Sequence, residues 1–189
     1  MIITIVLFVM LFIIDQLTKY LAQIFIAQGT TVSFVPYVMS FTKTYNEGSG
    51  FSFLADSDYN WLLVVISLIA TVVLCYYCYK NDWKREKYKS VLLTMILAGC
   101  VGNLFDRIIM FIPGLKDSRP GVVDMIDFEF LDIICQKLFG NDFAICNVAD
   151  VYLVIGLILF AIDLIFFADR RKKKYEAEDR KAIRGDQAW

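Results

Sequence analysis

The polar residues of one apolar stretch are the first sign of chemistry in this sequence. AGCVGNLFDRIIMF, residues 98–111, is apolar at both ends, yet it contains Asn103, Asp106 and Arg107 within five positions. Residues three and four apart share one face of a helix, so the amide would neighbour both charged groups. An amide, a carboxylate and a guanidinium together can orient hydrogen bonds and hold a proton at a fixed place.

Two further polar pairs have the same helical spacing. Asp15 lies four residues before Lys19, and Asn147 lies three residues before Asp150. The chain has no histidine, which excludes a Ser–His or Cys–His nucleophile and a histidine-rich zinc site. Two aspartates can activate water instead: one, ionised, removes a proton from water, while the other, protonated, donates to a carbonyl oxygen. We expect Asp124 and Asp150 to be the two carboxylates that meet.

Composition shows which elements must position these groups. The chain is 58% hydrophobic and has three prolines in 189 residues, which is too apolar for an ordinary soluble domain. Its uncharged runs can each be extended to the roughly 20 residues that cross a hydrocarbon core of about 30 Å. The sequence therefore predicts an all-α membrane protein with four transmembrane helices, at about 2–26, 61–79, 90–111 and 146–168. We expect the first to be retained and not cleaved as a signal.

Basic residues predict the orientation of these helices, because Lys and Arg are retained on the cytoplasmic side. Residues 80–89 hold five of the nineteen basic residues, and the segment from Asp169 onward holds eight more. Both termini are therefore expected in the cytoplasm. Residues 1–168 would form a single membrane domain and residues 169–189 a basic cytoplasmic tail. The charge asymmetry indicates topology and gives no reason to expect nucleic-acid binding.

The polar groups are predicted to lie at one depth. At about 1.5 Å per residue, Arg107 lies roughly 25 Å from Ser90, near the outer edge of the membrane core. The same count places Asp15 with Lys19, and Asp150, at that level. Each pair alone could be a self-neutralising or interhelical contact. Three at one depth favour a site, because such groups normally face the bundle interior or a cavity. Asp163 lies near the inner end of the last helix, where cytoplasmic basic residues can reach it, and is expected to be structural.

The two outer segments, about 27–60 and 112–145, are expected to add a small β-rich part and a short helix. Residues 40–46 alternate as a strand does, and NEGSGF at 46–51 predicts a turn in which Gly48 and Gly50 permit positive φ. Phe128, Leu131, Ile134 and Leu138 have the spacing of a short amphipathic helix at the membrane interface.

Five sequence blocks together resemble lipoprotein signal peptidase, the bacterial signal peptidase II family. They are DxxTK at 15–19, NEGSGF at 46–51, GxxGNLFDR at 99–107, VVD at 122–124 and NVAD at 147–150. The blocks fall in the family's order on the expected helices. The segment between Asp124 and Asp150 is long for this family.

The resemblance implies an aspartyl endopeptidase of the bacterial cytoplasmic membrane, with its active site at the extracytoplasmic boundary. It would remove signal peptides from diacylglyceryl-modified prolipoproteins on the amino side of the lipidated cysteine. Asp124 and Asp150 would be catalytic. Residues implied to bind substrate or to support the pair are Asp15, Lys19, Asn46, Gly48, Gly99, Gly102, Asn103, Asp106, Arg107, Asn147 and Ala149. Membrane lipid would surround a monomer, and no cofactor or metal is expected.

Cysteine offers an alternative. Cys75 and Cys78 form a CxxC pair, and a four-helix membrane protein with that motif could be a quinone-linked thiol oxidoreductase. The predicted topology places the pair at the cytoplasmic end, whereas disulfide-forming chemistry belongs outside. Whether Cys135 and Cys146 pair stays open. A small transporter would need polar groups near the midplane, and here they cluster at one end.

Overall fold

The architecture is a bundle of long helices with a small sheet at one end. The computed structural model describes residues 2–48, 60–115 and 119–186. Within them the helices are α1 (Ile2–Phe25), α2 (Asn60–Lys80), α3 (Lys87–Ile109), α4 (Glu129–Phe139), α5 (Val148–Phe166) and α6 (Ala168–Asp186). Three strands complete the fold: β1 (Thr31–Val35), β2 (Met39–Asn46) and β3 (Val122–Asp127).

Four of these helices are long and apolar enough to cross a membrane. They are α1, α2, α3 and α5, and their ends lie within three residues of the predicted ones. Most of their large apolar side chains face outward, as in α1 and α5, where lipid takes the place that a protein core fills in a soluble domain. The predicted four-helix membrane fold is confirmed.

Helix α3 is the centre of the bundle and packs against α1, α2 and α5. Small residues make this possible. A Cβ atom added at Gly99 would lie 2.5 Å from the carbonyl oxygen of Ala149 on α5, so only glycine permits this approach of the two helices.

The three strands form one antiparallel sheet in the order β1-β2-β3. Strand β2 matches the predicted strand, and Gly48 after it has φ of 110°, as the turn requires. Gly50 lies outside the described residues. Strand β3 was not predicted. It places Asp124 within an edge strand, paired with Thr44.

The bundle therefore has two distinct ends. The sheet end comprises the C-termini of α1 and α3, the N-terminus of α5 and the sheet. The tail end comprises the end of α2, the start of α3, the end of α5 and α6. The segment expected to be a basic tail includes the helix α6, which was not predicted and which is linked to the α2–α3 loop by an Arg85–Asp179 ion pair of 2.8 Å.

Helix α4 has the predicted amphipathic spacing and no buried residue. It begins directly after β3, and the chain returns from it to meet β3 again. The Ile126 amide donates to the Cys146 carbonyl at 2.7 Å, and the Cys146 amide donates to the Ile126 carbonyl at 2.9 Å. This bridge brings the start of α5 beside β3, and with it Asp150 toward Asp124.

Candidate active site

Asn147 joins the two aspartates that were expected to meet. Its Nδ2 donates to Oδ1 of Asp124 at 2.7 Å. The Asn147 amide donates to Oδ2 of Asp150 at 3.0 Å, and the Asp150 amide donates to Oδ1 of Asn147 at the same distance. The last two bonds form a capping box at the start of α5, which fixes the Asp150 carboxylate by the local structure of the helix end.

Asn103 makes a second amide link and belongs to α3. Its Nδ2 donates to Oδ1 of Asp150 at 2.7 Å, and its Oδ1 accepts from Asn147 Nδ2 at 3.1 Å. That oxygen also accepts from Lys19 Nζ at 3.1 Å. A lysine ammonium can only donate, so it holds the oxygen of the Asn103 amide toward itself and the nitrogen toward Asp150.

Lys19 is the central charge of a buried network. Its Nζ lies 2.9 Å from Asp15 and 2.8 Å from Asp106, and all three side chains are fully buried. Arg119 approaches the other oxygen of Asp106 at 3.1 Å. The predicted Asp15–Lys19 pair therefore exists, but it is one part of a network that links α1, α3 and the segment before β3.

Asp15 also acts on the helix that carries Asp150. Its Oδ1 accepts from the amide of Ala149 at 3.0 Å, one of the N–H groups that a helix start leaves without an internal partner. A Cβ atom added at Gly102 would lie 2.5 Å from the other oxygen of Asp15. Gly102 is thus required for α3 to admit the carboxylate that caps α5.

Asn46 and Arg107 lie at the edges of this cluster. Asn46 ends β2, makes a side-chain hydrogen bond to Asp124, and accepts from the Gly48 amide at 3.0 Å. Arg107 points to α2, where its Nη1 is 3.4 Å from Ser67 Oγ, a weak contact. It interacts electrostatically with Asp150 and Asp124.

The pKa of Asp124 is raised to about 7. Burial is the largest cause, because it removes the charged form from water, and the nearby charge of Asp150 adds to it. Hydrogen bonds from Asn147 and Asn46 and the charge of Lys19 act in the opposite direction and are outweighed. Asp124 is therefore a carboxyl group that changes protonation state near neutral pH.

A cavity of about 530 Å³ opens beside Asp150. Its lining is apolar except near Asn46 and Asp150, and it is built by the start of α4, the return segment and one face of α5. The lining residues are Asn46, Phe128, Leu131, Phe143, Ala144, Ile145, Cys146, Asp150, Val151, Val154 and Ile155. In the described ranges, no group of three or more Cys, Asp or Glu side chains is placed to share a metal ion.

The structure also shows the positions of Asp163, Arg119 and four of the cysteines. Asp163 is buried at the tail end and forms an ion pair with Arg171, as expected for a residue within reach of cytoplasmic basic groups. Arg119 was missed, because it falls in a loop with turn residues on both sides, SRPG, and nothing in that pattern indicates a buried partner. Cys135 and Cys146, like Cys75 and Cys78, are free thiols.

Comparison with known proteins gives a consistent result. A family model described as signal peptidase (SPase) II matches residues 7–166. The chain is 34% identical over 160 residues to the lipoprotein signal peptidases of Streptococcus pyogenes serotype M2 (strain MGAS10270) and serotype M5 (strain Manfredo), which covers 82% of this chain and 88% of each relative.

Two solved structures, both described as bacterial membrane enzymes determined by the in meso method, share the fold. Their TM-scores are 0.68 and 0.66 at 28% identity, over 87% and 86% of this chain and 94% and 87% of theirs. The sequence resemblance is confirmed over the region that holds all four long apolar helices and both aspartates, and the chain belongs to the signal peptidase II family.

Proposed function

We propose that this multi-pass bacterial membrane protein is a lipoprotein signal peptidase of the aspartic type, with Asp124 and Asp150 as its catalytic pair. The observation that carries the proposal is Asn147, whose side chain donates to the carboxylate of Asp124 and whose backbone amide donates to the carboxylate of Asp150. Amides hold the two carboxylates in place without neutralising either. A pair held in this way can pass one proton back and forth, which hydrolysis with water requires.

The surroundings of the two carboxylates suggest different roles. Asp124 is buried and its pKa is raised to about 7, which suits the group that begins protonated. Asp150 lies in the first turn of α5, where the helix dipole is complementary to a negative charge, and its oxygens accept from Asn103 and from the Asn147 amide. We therefore assign Asp124 as the acid and Asp150 as the base.

The reaction then needs only water and the pair. Asp150 takes a proton from water as the water oxygen attacks the scissile carbonyl carbon, and Asp124 gives its proton to the carbonyl oxygen. The tetrahedral intermediate collapses when Asp150 passes the proton to the leaving amine and Asp124 recovers one from the hydroxyl group. The pair ends in its starting state, and its apparent pKa values belong to both groups jointly.

The supporting residues act by position. Lys19 fixes the orientation of the Asn103 amide, and Asp15 caps the helix on which Asp150 lies. Asp106 and Arg119 complete the charge balance around Lys19. None of these four side chains hydrogen-bonds Asp124 or Asp150 directly among the bonds described above, so we assign them to the scaffold of the site.

The apolar lining of the cavity beside Asp150 favours a hydrophobic substrate. This lining would receive apolar side chains of the signal peptide next to the scissile bond, while the diacylglyceryl group of the cysteine lies between helices in the bilayer. The substrate class follows from the family, whose Streptococcus relatives are lipoprotein signal peptidases.

The test is cleavage of a matched substrate pair. The purified full-length protein is incubated in lipid with a prolipoprotein whose cysteine carries diacylglycerol and with the same protein lacking the lipid. We expect cleavage on the amino side of the lipidated cysteine, read by mass spectrometry, and little or none of the unlipidated twin. Failure to cleave either one would contradict the proposal.

The proposed orientation places the site at the extracytoplasmic boundary and both termini in the cytoplasm. Its support is the concentration of basic residues in 80–89 and in α6. Reporter fusions after Trp189 and within residues 80–89 should behave as cytoplasmic, and a fusion near Asp56 as external. A tail that reports as external would contradict this orientation.

A further inference from the structure

A second cavity lies at the tail end, at the opposite end of α5 from Asp150. It has a volume of about 400 Å³ and is built where α3 begins, α5 ends and α6 begins. Its lining residues are Tyr88, Ile162, Asp163, Phe167, Arg170 and Arg171. The proposed peptidase mechanism uses none of them.

Arg171 carries the first indication of a ligand. Its two terminal nitrogens both bond the carboxylate of Asp163, so the pair is neutral as a unit. Arginine carries five N–H groups, so this pairing leaves several of them free. One of these, on Nε, is buried and has no hydrogen-bond partner in the described structure. A buried N–H group without an acceptor is costly, and such groups in native proteins are normally satisfied by protein, water or a ligand.

Arg170 adds an unbalanced positive charge. Two guanidinium groups and one carboxylate line the cavity, which leaves a net charge of one positive unit. No ion pair is described for Arg170, and its side chain is exposed. Glu86, which also acts electrostatically on Arg171, is paired with Lys89 at 2.9 Å. The cavity therefore favours an anion.

The apolar part of the lining shows which kind of anion. Ile162 and Phe167 are 41% and 48% exposed on the outside of α5 and its end, where the helix meets lipid. Tyr88 is half exposed on the first turn of α3, and tyrosine is a typical residue of the membrane interface. The anion that suits this lining carries hydrocarbon and lies at the bilayer surface.

We propose that this cavity binds the headgroup of an anionic phospholipid. The phosphodiester would accept hydrogen bonds from the exposed guanidinium of Arg170 and from N–H groups of Arg171 that Asp163 leaves free, and the acyl chains would run along Ile162 and Phe167. Arginine matches phosphate by geometry as well as by charge. Bound there, the lipid would stabilise the junction of α5 and α6. Helix α6 is already linked to the α2–α3 loop by a hydrogen bond of 2.6 Å from the Tyr175 hydroxyl to the Arg85 carbonyl.

Native mass spectrometry of the full-length protein in detergent tests this proposal. The probes are dioleoyl phosphatidylglycerol, dioleoyl phosphatidylcholine and inorganic phosphate, each added separately. We expect one phosphatidylglycerol to be retained at least about tenfold more tightly than phosphatidylcholine. Inorganic phosphate should be retained poorly, because it lacks the chains. Equal retention of the two lipids, or retention of phosphate as strong as that of phosphatidylglycerol, would overturn the assignment.

The matched variants are Arg170→Gln and Lys173→Gln. Each removes one positive charge from an exposed position of α6, but only Arg170 lines the cavity. We expect about tenfold weaker phosphatidylglycerol binding for Arg170→Gln and no change for Lys173→Gln. Equal losses would indicate diffuse attraction to the basic helix and would contradict a site. Because both residues are exposed, circular dichroism should show the same helix content in both variants.

Discussion

Buried carboxylates lie at both ends of the bundle, and their partners differ. At the tail end, the carboxylate of Asp163 accepts hydrogen bonds from both terminal nitrogens of Arg171. At the sheet end, the side-chain amide of Asn147 donates to the carboxylate of Asp124. The carboxylate of Asp150 accepts from the backbone amide of Asn147 and the side-chain amide of Asn103. A guanidinium fixes the charge of its partner, because the ion pair is lost when the carboxylate is protonated. An amide fixes the position of a carboxylate and leaves its protonation free to change.

The sheet end also separates the fully charged side chains from the two aspartates. The full charges are concentrated on Lys19, Asp15 and Asp106, which are mutually paired and fully buried. Their effect reaches the aspartates through a neutral amide, that of Asn103. The difference between the two ends is therefore that the proposed reactive carboxylates have neutral hydrogen-bond donors, whereas Asp163 has a charged one.

The largest effect should come from removing the acid or the base. We expect Asp124→Asn and Asp150→Asn each to lower the rate of cleavage by at least about 10² to 10⁴, the usual contribution of general acid–base catalysis. Asparagine keeps the size of aspartate but neither accepts nor supplies the proton. The measurement is single-turnover cleavage of a lipidated prolipoprotein.

The matched control is Asp163→Asn at the tail end. It makes the same chemical change at a buried aspartate, and cleavage should stay within a few-fold of the unaltered protein. If Asp124→Asn or Asp150→Asn cleaved the substrate as fast as Asp163→Asn, the proposed catalytic role of that aspartate would be contradicted.

Lys19→Met should have the next largest effect, and on two quantities. It leaves Asp15 and Asp106 with less compensation in the interior, and breaking a buried ion pair in this way typically costs about 3–5 kcal/mol of stability. It also removes the donor that orients the Asn103 amide. Thermal unfolding in detergent should show the loss of stability. Cleavage measured below the lowered unfolding temperature should still be slow.

The control for Lys19 is Lys137→Met on the exposed face of α4. It removes an equal charge and should change neither measurement. Normal cleavage by folded Lys19→Met would show that the buried network serves stability alone.

The dependence of cleavage on pH sharpens the assignment of roles. The Asp124 pKa is raised to about 7, so the group is protonated below that pH and loses its proton as the pH rises. If Asp124 is the acid, kcat should fall above pH 7, by about tenfold for each further pH unit. A rate that rises through pH 7 and stays high would make Asp124 the base and exchange the two roles.

The smallest effect is expected from the cysteines of α2. Cys75 and Cys78 lie near its tail end, away from both aspartates. Replacing both with alanine should leave cleavage and unfolding nearly unchanged, because small residues pack comparably in membrane helices. Cleavage assays and unfolding curves of the double variant check this. A folded double variant without activity would favour thiol redox chemistry.

The sequence was sufficient for the four long helices because lipid imposes strong rules. Charged residues in apolar runs are costly, so Asp15, Lys19 and Asp106 were conspicuous, and the structure brings these three side chains together. The same rules do not apply outside the bilayer. There Arg119 carries no signal of burial, although it pairs with Asp106.

Two elements were missed for opposite reasons. Strand β3 is buried at its first four positions, so its sequence, VVDMID, lacks the full polar–apolar alternation of a half-exposed strand. Helix α6 is charged around most of its surface and has no apolar stripe that would reveal a helix. Its contact to Arg85, through Asp179, is a long-range pairing that no local pattern contains.

The bridge between Ile126 and Cys146 makes the chain leave and re-enter the site at one point. Because both ends of the intervening segment are fastened there, its length does not determine the position of Asn147 or Asp150 relative to Asp124. The fold can therefore accommodate segments of different length and sequence between Ile126 and Cys146. Since the insert supplies Phe128, Leu131 and Phe143 to the cavity wall, exchanging it would change the shape of the cavity without moving Asp124 or Asp150.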